Sequence, residues 1–320
     1  MGARVLEFLG SLTLIWVLAS VAFTVLCLSL NAALVKALDR LVPRQASTVY
    51  LLWCGAPMIM SLLICTLLFI PGLDSIFVAP HCHHDCEVAV SSAHLPITHS
   101  LMIALLGVTA CGYIILVIAR QLIRHIQTVA NIKTKLDYAG IREDDYFVLV
   151  DSPPTVFTLG FIRQRMYIAQ SLLDLCSAQH LCVINAHEQA HIVRSDNLRL
   201  LAARVFCIFL PRFLNKRLLY QLHIYTEEAC DDVAAKQYGS VVVAETLLEI
   251  HKLVNQSRSC AALNTAFAEH AIEARVTALF AASDKLELPK YSFVALAVAG
   301  LMGLMILLAP LHHIAEWLIH

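Results

Sequence analysis

The sequence carries little charge for its length. Only 15% of its 320 residues are charged, whereas about 25% is usual in soluble proteins. Lys and Arg (23) nearly balance Asp and Glu (24), and no long basic run occurs, so a nucleic-acid-binding surface has no electrostatic support. A content of 59% hydrophobic residues and a mean hydropathy of +0.71 exclude an ordinary soluble domain.

Four long runs lack charged residues altogether. They are Phe8–Val35, Val49–Leu73, Ser100–Ala119 and Tyr291–Leu311. Each reaches the ~20 residues that a helix needs to cross a bilayer. The sequence therefore predicts a multi-pass α-helical membrane protein with four spans in the lipid bilayer.

The segments between these runs differ in their basic residues. Of the 23 Lys and Arg, 19 lie between residues 120 and 290, and the loop 74–99 has none. The positive-inside rule then places the 120–290 segment in the cytoplasm, and the loop 74–99 and the tail 312–320 outside. We therefore expect a protein of the inner (cytoplasmic) membrane with one folded cytoplasmic domain, 120–290.

That domain begins with a predicted helix over 120–139 and continues with strand patterns. The strands are predicted over Tyr146–Val150, Val156–Leu159 and Arg165–Ala169, separated by Pro- and Gly-containing turns. The pattern becomes helical from Leu172 onward. These segments predict an α+β domain in which an edge strand either binds an extended substrate or only packs against the next helix.

The most informative motif follows the strands. His187-Glu188-Gln189-Ala190-His191 has the HExxH pattern of zinc metallopeptidases. Residues four apart share a helix face, so His187 and His191 can present two imidazoles to one metal ion. Glu188 is the expected general base. The motif predicts an enzyme with one Zn2+ per chain that hydrolyses bonds in a protein or peptide substrate.

An acidic cluster further along the chain offers the third ligand. Catalytic zinc sites use three protein ligands and leave a fourth position open. Glu227 and Asp231 lie four residues apart in a helical stretch and share a face. We expect Glu227 to bind the metal and Asp231 to accept a hydrogen bond from a ligand imidazole. Glu228 is rotated away by about 100°.

These two segments resemble the BlaR/MecR family of integral-membrane zinc metallopeptidases. His187 through Asp196 matches its HExxHxxRxD signature, and Glu227 through Asp232 its ExxCD signature. The resemblance implies a zincin-like (gluzincin) domain between the third and fourth spans, with His187, His191 and Glu227 as zinc ligands and Glu188 as base. It also implies a regulatory protease of antirepressor type that cleaves a cytoplasmic repressor.

A looser similarity is to HtpX-type and CAAX-type membrane proteases. It rests on Glu227 with Asp231 and on a later segment that contains Arg275. Arg275 either stabilises the oxyanion of the reaction or pairs with a carboxylate of the site. A quality-control protease for membrane proteins is therefore the alternative function. A non-catalytic membrane signal receptor with a structural zinc is a third.

The sequence departs from the antibiotic-sensing BlaR/MecR members after the last span. Those members continue into an extracellular penicillin-binding domain, whereas this sequence ends at His320 and has no SxxK motif outside its apolar runs. We therefore expect no direct acylation by β-lactams.

The predicted outer loop is dense in metal-binding side chains. It contains His81, Cys82, His83, His84 and Cys86. Three alternatives are open for this cluster. Either Cys82 and Cys86 form a disulfide in an oxidising exterior, or the cluster binds copper or zinc, or the loop is inert. Its position outside the membrane suggests a sensor of metal or redox state.

Overall fold

The structure, a computed structural model, describes residues 2–69, 97–143, 145–257, 265–281, 285–289 and 292. The chain divides into two units. One consists of residues 1–34, 55–120 and 288–320, and the other of residues 35–54 and 121–287. The second unit holds the HExxH motif. It also includes residues 35–54, which the sequence analysis assigned to the first two spans and their connection.

Three long helices supply the described part of the first unit. They are α1 (Gly2–Leu38), α2 (Pro43–Phe69) and α3 (Ile97–Ala139). Within that unit Ser20 Oγ on α1 donates a hydrogen bond of 2.9 Å to Ser61 Oγ on α2. Among the described residues, two stretches are long and apolar enough to cross a membrane, Trp16–Leu38 and Pro43–Ile64. They suggest membrane association.

The four predicted spans compare with these helices in different ways. The first two correspond to the two candidate stretches with shifted bounds. The third predicted span, Ser100–Ala119, lies within α3, which continues without a break into the predicted 120–139 helix. The fourth, Tyr291–Leu311, lies outside the described residues except for Ser292. The four-span topology therefore stays a prediction.

A small mixed sheet opens the second unit. Its strands are β1 (Ile141–Arg142), β2 (Tyr146–Leu149), β3 (Val156–Leu159) and β4 (Arg165–Ala169). They lie in the order β1-β2-β4-β3, with β2 parallel to β4 and the other pairs antiparallel. The three predicted strands are confirmed to within one residue, whereas the short strand β1 was not predicted. β3 lies at an edge of the sheet.

The sheet is covered on both faces because its side chains alternate. Phe147, Leu149 and Tyr167 form one cluster with Leu136 of α3. Val148 and Ile168 point to the opposite face, where Ile184 of the motif helix joins them. This period-two pattern fixes the motif helix against the sheet.

Six further helices complete the described part of the second unit. They are α4 (Gln170–Leu175), α5 (Ala178–Arg194), α6 (Asp196–Phe206), α7 (Arg212–Tyr238), α8 (Ser240–Ser257) and α9 (Thr265–Phe280). A buried cluster joins Val183 of α5, Ala234 of α7, Val243 of α8 and Leu279 of α9. This core holds α5 against α7, the two helices that carry the predicted metal ligands.

Candidate metal centre

Local signals at both ends define the motif helix α5. Its N-cap is Ser177, whose side chain accepts a hydrogen bond from the His180 backbone N–H, as Ser commonly does at this position. The helix ends at Arg194, and Ser195 takes the left-handed conformation with φ 55°. This turn lets α6 start at once in a new direction and brings Asp196 back toward α5.

Small buried residues allow α5 and α7 to approach closely. Ala190 of α5 is 5% exposed, and Ala229 and Cys230 of α7 are fully buried. Side chains on either side of these small residues can therefore meet across the interface. His187 and His191 project from α5 toward Glu227 and Asp231 of α7.

The structure brings His187, His191 and Glu227 together. The Nε2 atoms of the two imidazoles are 3.2 Å apart. Glu227 Oε2 lies 3.4 Å from His187 Nε2, and Glu227 Oε1 lies 3.5 Å from His191 Nε2. The three groups can each offer one ligand atom to a single metal ion.

These separations fit a tetrahedral zinc ion. With ligand bonds of about 2.0–2.1 Å, neighbouring ligand atoms around tetrahedral Zn2+ are about 3.3 Å apart. The 3.2 Å between the two Nε2 atoms is close to that spacing, and each Nε2 lies 3.4–3.5 Å from a different oxygen of the Glu227 carboxylate. Two imidazoles and one carboxylate are also a ligand set found in catalytic zinc sites.

A carboxylate holds each imidazole from behind. His187 Nδ1 lies 2.9 Å from Asp231 Oδ1, and His191 Nδ1 lies 2.9 Å from Asp196 Oδ2. When an Nδ1–H donates to a carboxylate, the Nε2 lone pair is left for a metal and the ring orientation is fixed. The sequence analysis anticipated the contact of Asp231, but it gave Asp196 no role.

The electrostatics of the site favour positive charge beside Glu227. Burial lowers the pKa of His187, but hydrogen bonds to Asp231 and Glu227 outweigh it and raise the pKa to about 10. Burial raises the pKa of Glu227, but Arg275 and His187 outweigh it and hold the pKa well below its usual range. Glu227 is therefore ionised, as a metal ligand must be.

Glu188 differs from the other carboxylates of the site in that one of its oxygens has no hydrogen-bond partner among the described residues. It is 6% exposed, and its buried Oε2 has no hydrogen bond within the described part of the chain. Burial raises the pKa of Glu188, although His187 and His191 oppose the shift. An unpaired carboxylate with a raised pKa is suited to taking up and releasing a proton.

Arg275 of α9 pairs with carboxylates of the site. Its Nε and Nη2 donate to Asp231 at 2.7 and 2.8 Å, and its Nη1 lies 3.2 Å from Glu227 Oε2. The sequence left two roles open for Arg275, stabilising the oxyanion or pairing with a carboxylate of the site. The contacts in the structure are those of pairing. A catalytic role for Arg275 stays a prediction.

Cys230 contacts the back of His191. Its Sγ lies 3.3 Å from His191 Nδ1 and 3.4 Å from Asp196 Oδ2. The thiol is fully buried, and burial raises its pKa, so it stays protonated and donates to Asp196. Sequence spacing gave no signal for this contact, since Cys230 and Asp196 lie on different helices.

Two further predictions concern Glu228 and the outer loop. Glu228 Oε2 lies 3.8 Å from Lys285 Nζ, and Glu228 does not contact the imidazoles of His187 or His191. The predicted outer cluster of His81, Cys82, His83, His84 and Cys86 lies outside the described residues. Its three alternatives therefore stay open.

The comparisons with known proteins agree with this chemistry. Residues 118–224 match the model of peptidase family M48. The match supports a zinc metallopeptidase family, spans a third of the chain, and includes the HExxH motif but ends before Glu227. It does not confirm the BlaR/MecR resemblance. No curated protein and no solved structure matches the chain.

Proposed function

We propose that this chain is a membrane-bound zinc endopeptidase in which His187, His191 and Glu227 bind one Zn2+. The observation that carries the proposal is the convergence of the three groups: the two Nε2 atoms lie 3.2 Å apart, and each lies 3.4–3.5 Å from an oxygen of the Glu227 carboxylate. This grouping suits zinc. The family match over residues 118–224 supports the same class of reaction.

Zinc bound there would polarise the carbonyl of a peptide bond and activate a water for attack. Glu188 is the general base, since its unpartnered Oε2 can accept a proton from the attacking water. The raised pKa of Glu188 lets the same carboxyl then donate that proton to the leaving amine. Asp231 and Asp196 hold the ligand imidazoles in place throughout.

The edge strand β3 is the proposed substrate-binding strand. Among the described residues it pairs with β4 alone, so its other edge can add a strand of extended peptide. Asn197 Nδ2 donates to the Thr158 and Gly160 carbonyls at 3.2 and 3.1 Å. Asn197 lies shortly after the motif helix, so these bonds attach the end of β3 to the helix that follows it. A substrate strand can then pair only with the earlier residues of β3.

We infer that the domain acts in the cytoplasm as a regulatory protease of antirepressor type. The resemblance of the His187–Asp196 and Glu227–Asp232 segments to BlaR/MecR proteins supports this role. Quality control of membrane proteins is the alternative, which the candidate spans and the looser similarity to HtpX-type proteases favour.

A substrate trap tests the function and separates the two roles. Glu188→Gln keeps the three ligands and removes the base, so cells that carry it should accumulate uncleaved substrate. The exposed Glu245→Gln on α8 is the matched control. A single accumulating cytoplasmic regulator supports the antirepressor role, and many misfolded membrane proteins support quality control. Full activity of purified Glu188→Gln would overturn the proposed mechanism.

A further inference from the structure

The first turns of α2 contact the metal centre through two arginines. Arg194 Nη2 donates to Ser47 Oγ at 3.0 Å. Arg199 Nη2 donates to Ser47 Oγ and to Thr48 Oγ1, each at 3.1 Å. Ser47 thus accepts from one arginine at the end of α5 and from another in α6.

Both arginines also contact Asp196, whose carboxylate lies against the Nδ1 atom of His191. Arg194 Nε lies 3.3 and 3.2 Å from the two Asp196 oxygens, and Arg199 Nε lies 3.7 Å from Asp196 Oδ1. Asp196 Oδ2 then lies 2.9 Å from His191 Nδ1. A continuous set of polar contacts therefore runs from Ser47 to a proposed zinc ligand.

Burial makes these contacts consequential. Ser47 is fully buried and Asp196 is 1% exposed, and the Arg194 side chain is 9% exposed. A buried polar group that loses its partner costs about 1–3 kcal/mol, and more when it is charged. Water cannot readily replace the Ser47 hydroxyl, so its position restricts the Arg194 guanidinium and hence Asp196.

A second contact joins the same region to the other ligand helix. Tyr225 Oη, two residues before Glu227, donates to Asp39 Oδ1 at 2.9 Å. The Tyr225 ring also packs edge-on against Tyr50 of α2, with ring centroids 5.4 Å apart. The segment from Asp39 to Tyr50 therefore contacts both α6 and α7, all within one unit of the fold.

We propose that Ser47 is a positioning residue for His191, acting through Arg194 and Asp196, so that the start of α2 sets the metal affinity of the site. Ser47 lies within the candidate membrane stretch Pro43–Ile64. A displacement of α2 changes the hydrogen bonding of Arg194 and Asp196 and reorients the His191 imidazole. The inference rests on the proposed zinc site and adds a route for its regulation from the membrane.

The chain offers a matched control for the test on α2 itself. Ser61 is also fully buried, and its hydroxyl is hydrogen-bonded to Ser20 and to the Met58 carbonyl. Ser47→Ala and Ser61→Ala each delete one buried hydroxyl from the same helix. Only Ser47→Ala removes a contact on the path to His191.

The measurements are zinc affinity by chelator competition and the visible spectrum of the Co2+-loaded full-length protein. Changes behind a metal ligand typically weaken binding by about 10- to 100-fold, and Ser47 acts two contacts further out than Asp196, through Arg194. We expect Ser47→Ala to weaken zinc binding by about 3- to 10-fold and to shift the Co2+ bands. Ser61→Ala should leave both unchanged, and Ser47→Thr, which keeps the hydroxyl, should retain the wild-type Co2+ spectrum.

Coupling is reciprocal, so zinc should also affect α2. Zinc addition should slow amide exchange in residues 43–50 of the wild type, and less so in Ser47→Ala. Equal zinc affinity, equal Co2+ spectra and equal exchange in Ser47→Ala and Ser61→Ala would overturn the inference while leaving the zinc site intact. A wild-type protein that binds no zinc would instead overturn the proposed function.

Discussion

Three buried carboxylates and the half-buried Glu227 surround two imidazoles, and their partners suggest different roles. Asp231 and Asp196 each face a histidine Nδ1 and an arginine. Glu227 faces both Nε2 atoms. Glu188 has an oxygen without a hydrogen bond in the described structure. The contacts to Nδ1 or Nε2 of the imidazoles, or to neither, therefore underlie the proposed roles of these carboxylates as orienting groups, ligand and base.

Asp231 can be tested against its neighbour in the chain. Asp231→Asn should weaken zinc binding by about 10- to 100-fold, because an amide binds the His187 Nδ1–H and Arg275 less strongly. Asp232→Asn is the control, since Asp232 pairs with Lys236 at 2.7 Å and not with the site. Chelator titration measures both, and equal zinc retention in the two variants would restrict Asp231 to a structural role.

The role of Arg275 can be assigned by measuring zinc retention and turnover separately. If Arg275 only supports Asp231 and Glu227, Arg275→Gln should lower zinc affinity and melting temperature together, because it leaves the buried Asp231 and the half-buried Glu227 without their cation. Calorimetry and metal analysis measure these changes. Unchanged zinc content and stability with a kcat at least about 100-fold lower would instead assign Arg275 to the oxyanion.

The grouping of the candidate ligand residues could be predicted from sequence because their spacing within each helix is local. His187, Glu188 and His191 lie within one and a half helical turns, and Asp231 lies one turn after Glu227. Asp196 could not be assigned, since its approach depends on the left-handed turn at Ser195. Ser47 lies 147 residues before Arg194, and only tertiary packing brings the two together.

Among the elements, α3 is fixed to the sheet by one acidic residue. Asp137 accepts a hydrogen bond from Tyr167 Oη and pairs with Arg165 at 2.6 Å. The Arg165 guanidinium also lies 5.2 Å from the centre of the Phe147 ring. Asp137 therefore links the C-terminal part of α3 to β4, which packs against the motif helix α5.

That link should depend on pH. Burial raises the pKa of Asp137, but hydrogen bonds from Tyr167 and Arg165 outweigh it and lower the pKa. With the folded pKa below the unfolded one, the stabilisation is present above about pH 4 and is lost as pH falls through the folded pKa. Asp137→Asn should lower the melting temperature by about 2–4 °C at pH 7.

Comparison with an exposed residue of the same region completes this test. The difference between Asp137→Asn and the wild type should be constant at neutral pH and should shrink progressively as the pH falls below about 4, and Asp145→Asn, at an exposed position, should match the wild type throughout. A difference that stays constant as the acidity increases, for as long as the protein remains folded, would attribute the effect of Asp137→Asn to packing.

The strands could be predicted because Pro153-Pro154 and Gly160 delimit them. Gly160 has φ 111°, and a Cβ there would lie 2.8 Å from the Arg163 carbonyl oxygen, so this turn requires glycine. The two-residue strand β1 carries no such pattern. The predicted third span and the predicted 120–139 helix adjoin at residue 120, and α3 (Ile97–Ala139) includes both.

At the scale of the whole molecule, the prediction is that the 120–290 domain is cytoplasmic. Cys182 of that domain is exposed and serves as a natural probe. In a variant that keeps only Cys182, an impermeant maleimide should label intact cells no more than background and should label permeabilised cells strongly. Equal labelling of both would place the domain outside and exclude a cytoplasmic substrate.

The zinc content of two neighbouring variants tests the central claim most directly. Burial raises the pKa of Glu228 to about 7, although Lys285 opposes the shift. The neutral side chain of Glu228→Gln therefore resembles the protonated form that Glu228 readily adopts. Metal analysis of purified protein should find one zinc per chain in the wild type and in Glu228→Gln, and little in Glu227→Gln. Zinc lost from Glu228→Gln but retained by Glu227→Gln would contradict the account.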